Sequence, residues 1–306
     1  MTTIASLIHE QEVLKERINK LVYGSVEIRE SGEKKYLYVH FREEGISRTR
    51  YVGEYTLEAH NLILENNKLV AEYKKRLKKI KKELGTMQYQ EKLLSDEVKL
   101  NVDLARRNLV DSIYKQAMLE GVATTYSDTE TIVNGGRVSG MTSSDILKVV
   151  NLKRAWEFIM GEGVLSMPTN FAILCQVNGI VQEGFSYFAG KLRSVPVSIG
   201  GSTYIPPLPY EAQVREDLAS LLDKEESYEV AIELLLYVMK KQLFIDGNKR
   251  TAVIFANHYL ISRGMGLIVI PAELVSEYKK LLIAYYENND DTIKEFLKAK
   301  CLTKLK

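Results

Sequence analysis

Asp246, Gly247, Asn248, Lys249 and Arg250 stand consecutively between two apolar periodic runs, and this order of residue types suits the binding of phosphate. A glycine lets the backbone approach a ligand closely, and the first N–H groups of a helix have no intrahelical acceptor, so a Gly-Asn pair opening a helix makes an anion site. Asp246 is placed to hold a magnesium ion against such a phosphate, with Lys249 and Arg250 neutralising further charge. The same residues also suit a plain N-cap by Asp246 followed by surface basic residues. The loop alone does not decide.

The runs on either side must position it. Val230, Leu234 and Val238, with Ala231 and Leu235 beside them, give the wide apolar stripe of a core helix. After the loop, Ala252, Ala256, Tyr259 and Leu260 share a face of a second helix that stops at Gly264. His258 lies nearly three turns along it, about 15 Å from the loop at ~1.5 Å per residue, and is expected to be a core histidine.

The stretch QLFIDGNKRTA, with its neighbours, resembles the signature of the Fic/Doc family, H-x-F-x-[DE]-[AG]-N-[GK]-R. RGMGLIVIP (263–271) looks like the family's turn after its motif helix, GKLRSVPVSIGGSTYIPPLP (190–209) like its flap, and ILKVVNLKRAWEFIM (146–160) like its early core helix. Several segments in the right order make the resemblance specific, and it covers roughly residues 90–302.

The resemblance implies ATP and Mg2+ as cofactors and transfer of AMP to a protein hydroxyl. The family's base histidine falls on Gln242, and an amide cannot accept that proton. Phe244 matches the core aromatic, Asp246 the magnesium ligand, and Gly247 with Asn248 the anion-binding turn. Arg250 matches the first motif arginine, a phosphate contact. The second arginine is replaced by Val253, and Lys249 follows the Doc-like NKRTA variant, whose members transfer a phosphoryl group. The family's inhibitory pattern, [ST]-x-x-x-E-[GN], resembles TETIVNGG (129–136). Thr129 matches its start and the glutamate falls on Val133 or Asn134, so both halves of the inhibitory ion pair are missing. In the flap, Val195, Pro196, Val197, Ser198 and Ile199 alternate like an exposed edge of a short hairpin, which in the family docks a target peptide by strand addition.

The chain has 306 residues, 45% of them hydrophobic, and a net charge of +2, enough for a core and an added domain. No apolar run approaches the ~20 residues that cross a bilayer, and the amino terminus has no signal pattern, which reads as cytoplasmic. Cys175 and Cys301 lack the spacing of a disulfide framework or zinc site. The expected fold is mainly α: a Fic-like helical core with a short β-hairpin flap, plus an N-terminal helical hairpin carrying a small antiparallel β-meander.

Residues 1–88 form the expected N-terminal part. Ile4, Leu7, Leu14, Ile18 and Leu21 make a heptad-like seam, matched by Ile63, Val70, Tyr73, Leu77, Ile80 and Leu84, within one chain or between chains. Between them, alternation broken by SGEKK and EEGI predicts three short strands. Arg48 and Arg50 with Tyr36, Tyr38 and Tyr51 suit a stacking surface for nucleic acid, and the basic run 73–83 suits phosphates or the solvated face of a coiled-coil helix. His40 is expected to pack.

Residues 89–306 form the Fic-like part, with the core at about 146–302. A linking helix over 89–121 is expected to turn Leu93, Val98, Leu104, Leu109, Ile113 and Met118 inward. Trp156 is expected in the core, a loop at 160–168, and a helix over 170–181 ending near Gly179.

Three functions follow. One is a Fic-fold nucleotide-binding protein with weak or absent transfer, because the motif histidine is Gln242. Another is an active AMP- or Doc-like phosphoryl transferase. The third is a nucleic-acid or protein adaptor working through the N-terminal part, with a partner helix or a second copy as alternatives.

Overall fold

The computed structural model describes residues 3–43, 46–87, 89 and 93–305. Glu44 and Gly45 of the expected EEGI turn, and residues 88 and 90–92 around the expected domain boundary, lie outside them. The chain forms two compact units, Met1–Gln90 and Glu91–Lys306.

The first unit runs α1 (Ile4–Lys20), β1 (Ser25–Ser31), β2 (Lys34–Glu43), β3 (Ile46–Glu54) and α2 (Leu57–Thr86). Leu7, Leu14 and Ile18 of α1 and Ile63, Val70, Ile80 and Leu84 of α2 are buried. The two helices pair antiparallel within the chain: Arg76 grips Glu10 through Nε (2.6 Å) and Nη2 (2.5 Å), while Asn66 donates to the Val22 carbonyl at 2.9 Å. The strands form one antiparallel sheet in the order β1-β2-β3. Leu37 and Val39 on its inner face pack with Ile63 of α2.

Strand alternation corrects the expected stacking surface. Tyr38 pairs with Tyr51, but Arg50 pairs with Val39 and Arg48 with Phe41, so both arginines sit on the opposite face from the tyrosines. Neighbours such as Arg50 and Tyr51 cannot share a face of one strand. The tyrosine face keeps Arg29, whose guanidinium lies 4.3 Å from the Tyr38 ring centroid. His40 does not simply pack; it is half-exposed and bonded to Glu27 at 2.7 Å and Thr49 at 2.9 Å.

The second unit continues with α3 (Asp96–Arg107), α4 (Leu109–Leu119), α5 (Tyr126–Val133), α6 (Ser143–Ile159), α7 (Glu162–Leu165), α8 (Phe171–Val181), α9 (Glu211–Leu222), α10 (Tyr228–Lys241) and α11 (Asn248–Ile261). Strand β4 (Leu267–Ile268), helices α12 (Val275–Asn288) and α13 (Thr292–Lys300), and β5 (Leu302–Thr303) complete it, β4 pairing antiparallel with β5. The fold is mainly helical with small antiparallel sheets, as expected.

Helix α11 is the axis of this unit. Asn248 and every residue from Arg250 to Ile261 are buried, and α10, α8 and α6 pack around it. Buried amides lock its surroundings. Gln116 donates to the Arg250 carbonyl (2.7 Å) and accepts from the fully buried Trp156 indole (3.0 Å). Asn257 donates to the Ile268 carbonyl and accepts from the Ile268 N–H, fastening β4 to the helix.

Two expectations are corrected here. The single linking helix is two, α3 and α4, which meet at Asn108, whose backbone N–H (3.1 Å) and side-chain amide (2.8 Å) both donate to the Leu104 carbonyl; Leu93 is fully exposed. The loop 160–168 contains the short α7. The helix expected over 170–181 is α8, ending two residues past Gly179; a Cβ at Gly190 would lie 3.3 Å from the Gly179 Cα and 2.7 Å from the Cys175 carbonyl oxygen, so the glycines also serve close approach of a loop.

His258 is fully buried, its Nε2 against the Val164 carbonyl (3.1 Å) and its Nδ1 against the Thr169 hydroxyl (2.9 Å). A carbonyl only accepts, so Nε2 carries the proton and Nδ1 accepts from Thr169. Burial holds the ring down to about 4 from the ordinary 6.5. Between these values the unfolded chain takes up a proton that the folded chain refuses, so stability falls as pH drops from 6.5 toward 4, by up to about 3 kcal/mol. Urea midpoints at pH 7 and 4.5 are expected to separate further in the wild type than in His258→Gln. Equal separation would contradict this role.

Candidate functional site

The end of α10 and the start of α11 are joined by Gln242–Gly247. Gln242 is the C-cap of α10 in the left-handed region, φ 44° and ψ 61°. Its amide is fully engaged: Nε2 donates to the Met239 carbonyl at 2.6 Å and Oε1 accepts from Asn248 Nδ2 at 3.1 Å. No proton acceptor of histidine's kind therefore stands at this position.

Asn248 ties the loop together, accepting from the Phe244 N–H (2.9 Å) and donating to the Phe244 carbonyl (2.8 Å). Gly247 is the N-cap of α11 at φ 76°, and no side chain caps the helix. The amides at its start are thus left for another acceptor. A Cβ at 247 would lie 2.5 Å from Gln182 Nε2, so the Gln182 side chain rests on the turn. The same Nε2 donates to Asp246 Oδ2 at 3.2 Å, and Asn178 donates to the Asp246 carbonyl at 3.1 Å.

The charged residues divide between surface and interior. The Asp246 side chain is 67% exposed and reaches Arg250 Nη2 at 3.3 Å through Oδ2. Arg250 is buried, its Nε 3.5 Å from Glu120 Oε2, and Lys249 approaches Glu120 Oε1 at 3.9 Å. Arg250 Nε and Nη1 and Glu120 Oε1 have no hydrogen-bond partner. Two donors at the head of α11 are buried and unspent.

The segment 190–210 differs from the expected hairpin, since no strand pairing occurs between its residues. It is an extended segment pinned at both ends. At its base the buried Arg193 donates to the carbonyls of Val195, Pro206, Pro207, Lys241 and Gln242. Near its tip Glu287 of α12 accepts from Ser202 Oγ (2.9 Å), the Thr203 N–H (2.7 Å) and Thr203 Oγ1 (3.1 Å), contacts that hold its carboxyl below the usual range. The reason is composition: Pro196 supplies no N–H, and the carbonyls at the base are taken by Arg193 in place of a strand ladder. Val195, Pro196 and Ser198 are exposed, Val197 and Ile199 half-buried.

The stretch 129–136 supplies the end of α5. Thr129 is buried, its hydroxyl donating to the Thr125 carbonyl at 2.9 Å; Val133 is buried and Asn134 exposed. Val253 is buried on α11. The structure thus brings Gln242 and Asp246–Arg250 together, with 129–134 and 195–199 on separate elements. Sequence reading missed Gln182, Arg193, Glu120 and Glu287. None of the four carries a spacing signal; only an arginine inside the flap stretch hinted at a buried anchor.

Residues 168–260, which span α8 to nearly the end of α11, match the family model of the Fic/DOC family. The fold is similar to that of Fic-1 (aa134 - 508) from C. elegans, at 16% identity and a TM-score of 0.54, covering 79% of this chain and 81% of that one. It is also similar to a Fic domain containing signaling protein from Bacteroides thetaiotaomicron VPI-5482, at 21% identity and a TM-score of 0.52, covering 66% of this chain and 79% of that one. No curated protein matches the sequence significantly. The second unit thus has the Fic fold, and the stretch that matches the Fic/DOC family model lies within it.

Proposed function

We propose that this chain is a nucleotide-binding Fic-fold protein in which the phosphates of ATP, with Mg2+, lie at the amides of Asn248, Lys249 and Arg250, and in which group transfer is weak or absent. The observation that carries the reading is the uncapped start of α11 behind a left-handed Gly247, one hydrogen bond away from a Gln242 amide that has no capacity as a base. The residues present fit the ligand. Asp246 projects an exposed carboxylate with Oδ1 unengaged, and the orphaned donors of Arg250 offer hydrogen bonds that Glu120 does not satisfy. Magnesium held by Asp246 would offset the charge of the phosphate oxygens. Gln182 must swing off Gly247 for the phosphates to approach.

A protein segment would dock along 195–199 by adding a strand, using the backbone groups left once the Val195 carbonyl has accepted from Arg193 and the Ile199 carbonyl from the Ser202 N–H. The two free cysteines suit a reducing, cytoplasmic setting.

Calorimetry with ATP and Mg2+ tests the binding. Saturable heat at millimolar nucleotide is expected, weakened in Asp246→Ala and dependent on the metal. Absence of binding would end the reading. Efficient transfer of label to protein would overturn the inactive part alone, α-label naming AMP transfer and γ-label phosphoryl transfer.

A further inference from the structure

The Met1–Gln90 unit holds two adjoining cavities of about 180 and 550 Å3 at one end of its sheet, sharing Tyr23, Phe41 and Arg42. Arg50 lines the first and Lys74 the second, and none of the described lining residues is a carboxylate. Elsewhere in the unit Arg29, Lys34, Lys35 and Arg76 each hold a glutamate. Arg42, Arg50 and Lys74 have no carboxylate partner among the described residues. A concave surface bearing exposed cations and no counter-charge attracts an anion.

The cations sit beside rings. Tyr23 and Phe41 lie 6.0 Å apart and tilted by 50°; Lys74 Nζ is 5.1 Å from the Tyr23 centroid and the Arg50 guanidinium 5.3 Å from that of Phe41. The order is thus Lys74, Tyr23, Phe41, Arg50, two rings between two cations, with Phe41 also leaning on the Leu37–Val39–Ile63 core. The platform is also rigid. Asn67 clamps both the N–H (2.8 Å) and the carbonyl (3.0 Å) of Gly24. Gly24 itself sits at φ +140°, where a Cβ would lie 2.3 Å from the His40 carbonyl oxygen.

We infer that this cleft binds single-stranded nucleic acid, the phosphodiester backbone lying on Arg42, Arg50 and Lys74 and the bases stacking against Tyr23 and Phe41. Cationic grooves interleaved with aromatic platforms recognise unpaired strands in this way. A duplex keeps its bases inside and cannot present them to recessed rings. An acidic peptide would satisfy the cations and leave the rings without a planar partner.

Fluorescence anisotropy on the full chain, with labelled oligo-dT and oligo-U of about fifteen nucleotides, tests this. Binding of either oligomer that weakens steeply with salt is expected. The exposed pair Arg42→Glu/Lys74→Glu is expected to lower affinity at least tenfold at fixed salt with an unchanged melting temperature. Tyr23→Leu is expected to lower it about 5- to 100-fold, the effect of losing one stacking platform. No binding, no effect of the charge pair, equal binding of a duplex, or equal displacement by polyglutamate would each overturn the inference. No nucleoside triphosphate enters the assay, so its failure leaves the α11 reading untouched.

Discussion

Gln242→His is expected to raise transfer of label from ATP to protein by ~10²–10⁴-fold, the usual worth of a positioned general base. The position already has what the base needs. It lies at the C-cap of α10, one side-chain hydrogen bond from Asn248 at the head of α11, so an acceptor here would stand beside the phosphate corner. Its left-handed backbone, φ 44°, is one that histidine tolerates better than most residues. The substitution gives up the amide's bonds to the Met239 carbonyl and from Asn248, a loss of about 1 kcal/mol each. Label incorporation, followed by mass spectrometry to locate the modified hydroxyl, measures the gain. A variant that binds ATP and stays inert would mean that Gln242 is not what limits transfer, and would direct attention to Val253.

Arg193→Ala carries the second large effect. One guanidinium serves five carbonyls, two of them, Lys241 and Gln242, at the end of α10. A cation there also meets the negative end of the helix dipole. Burial pushes this arginine's proton affinity down, but a guanidinium stays charged, and its donors are met by the carbonyls around it. Removal leaves buried acceptors unpaired, at about 3 kcal/mol or more. That corresponds to a melting temperature lower by roughly 6–12 °C for a unit of this size. The segment 195–207 should become sensitive to limited proteolysis before the rest of the chain, and Arg193→Ala in the Gln242→His background should cancel most of the gained transfer. A melting temperature within a degree or two of wild type would contradict the anchoring role. Arg193→Lys, which keeps the charge but not the fork, is expected to fall between them.

What the sequence disclosed followed periodicity. The stripe of α10, the run of α11, the seam of α1 with α2 and the alternation of β1 to β3 are local patterns, and each formed the element it describes. What it hid depended on contacts distant in the chain. The break at Asn108 falls inside a continuous apolar periodicity, which does not record it. Gly179 looked like a helix stop and is also a point of contact with Gly190. The expected hairpin failed because Arg193, a single residue, takes the carbonyls that a strand ladder would use. At the candidate site the motif named Gln242 and Asp246–Arg250, but Gln182 over Gly247 and Glu120 beside Arg250 arrive from α8's end and α4's end, far away in sequence. Arg250 shows the difference in kind. As a motif residue it resembles a phosphate contact, whereas folded it is buried beside Glu120 with two donors still unsatisfied.

The central claim is that the head of α11 receives the phosphates of a nucleotide. A crystal structure of the chain soaked with ATP and Mg2+ tests it most directly. The claim predicts phosphate oxygens within hydrogen-bond distance of the Asn248, Lys249 and Arg250 amides, with Gln182 displaced from Gly247 and the metal on Asp246. Nucleotide bound elsewhere, with Gln182 still resting on the glycine, would contradict it.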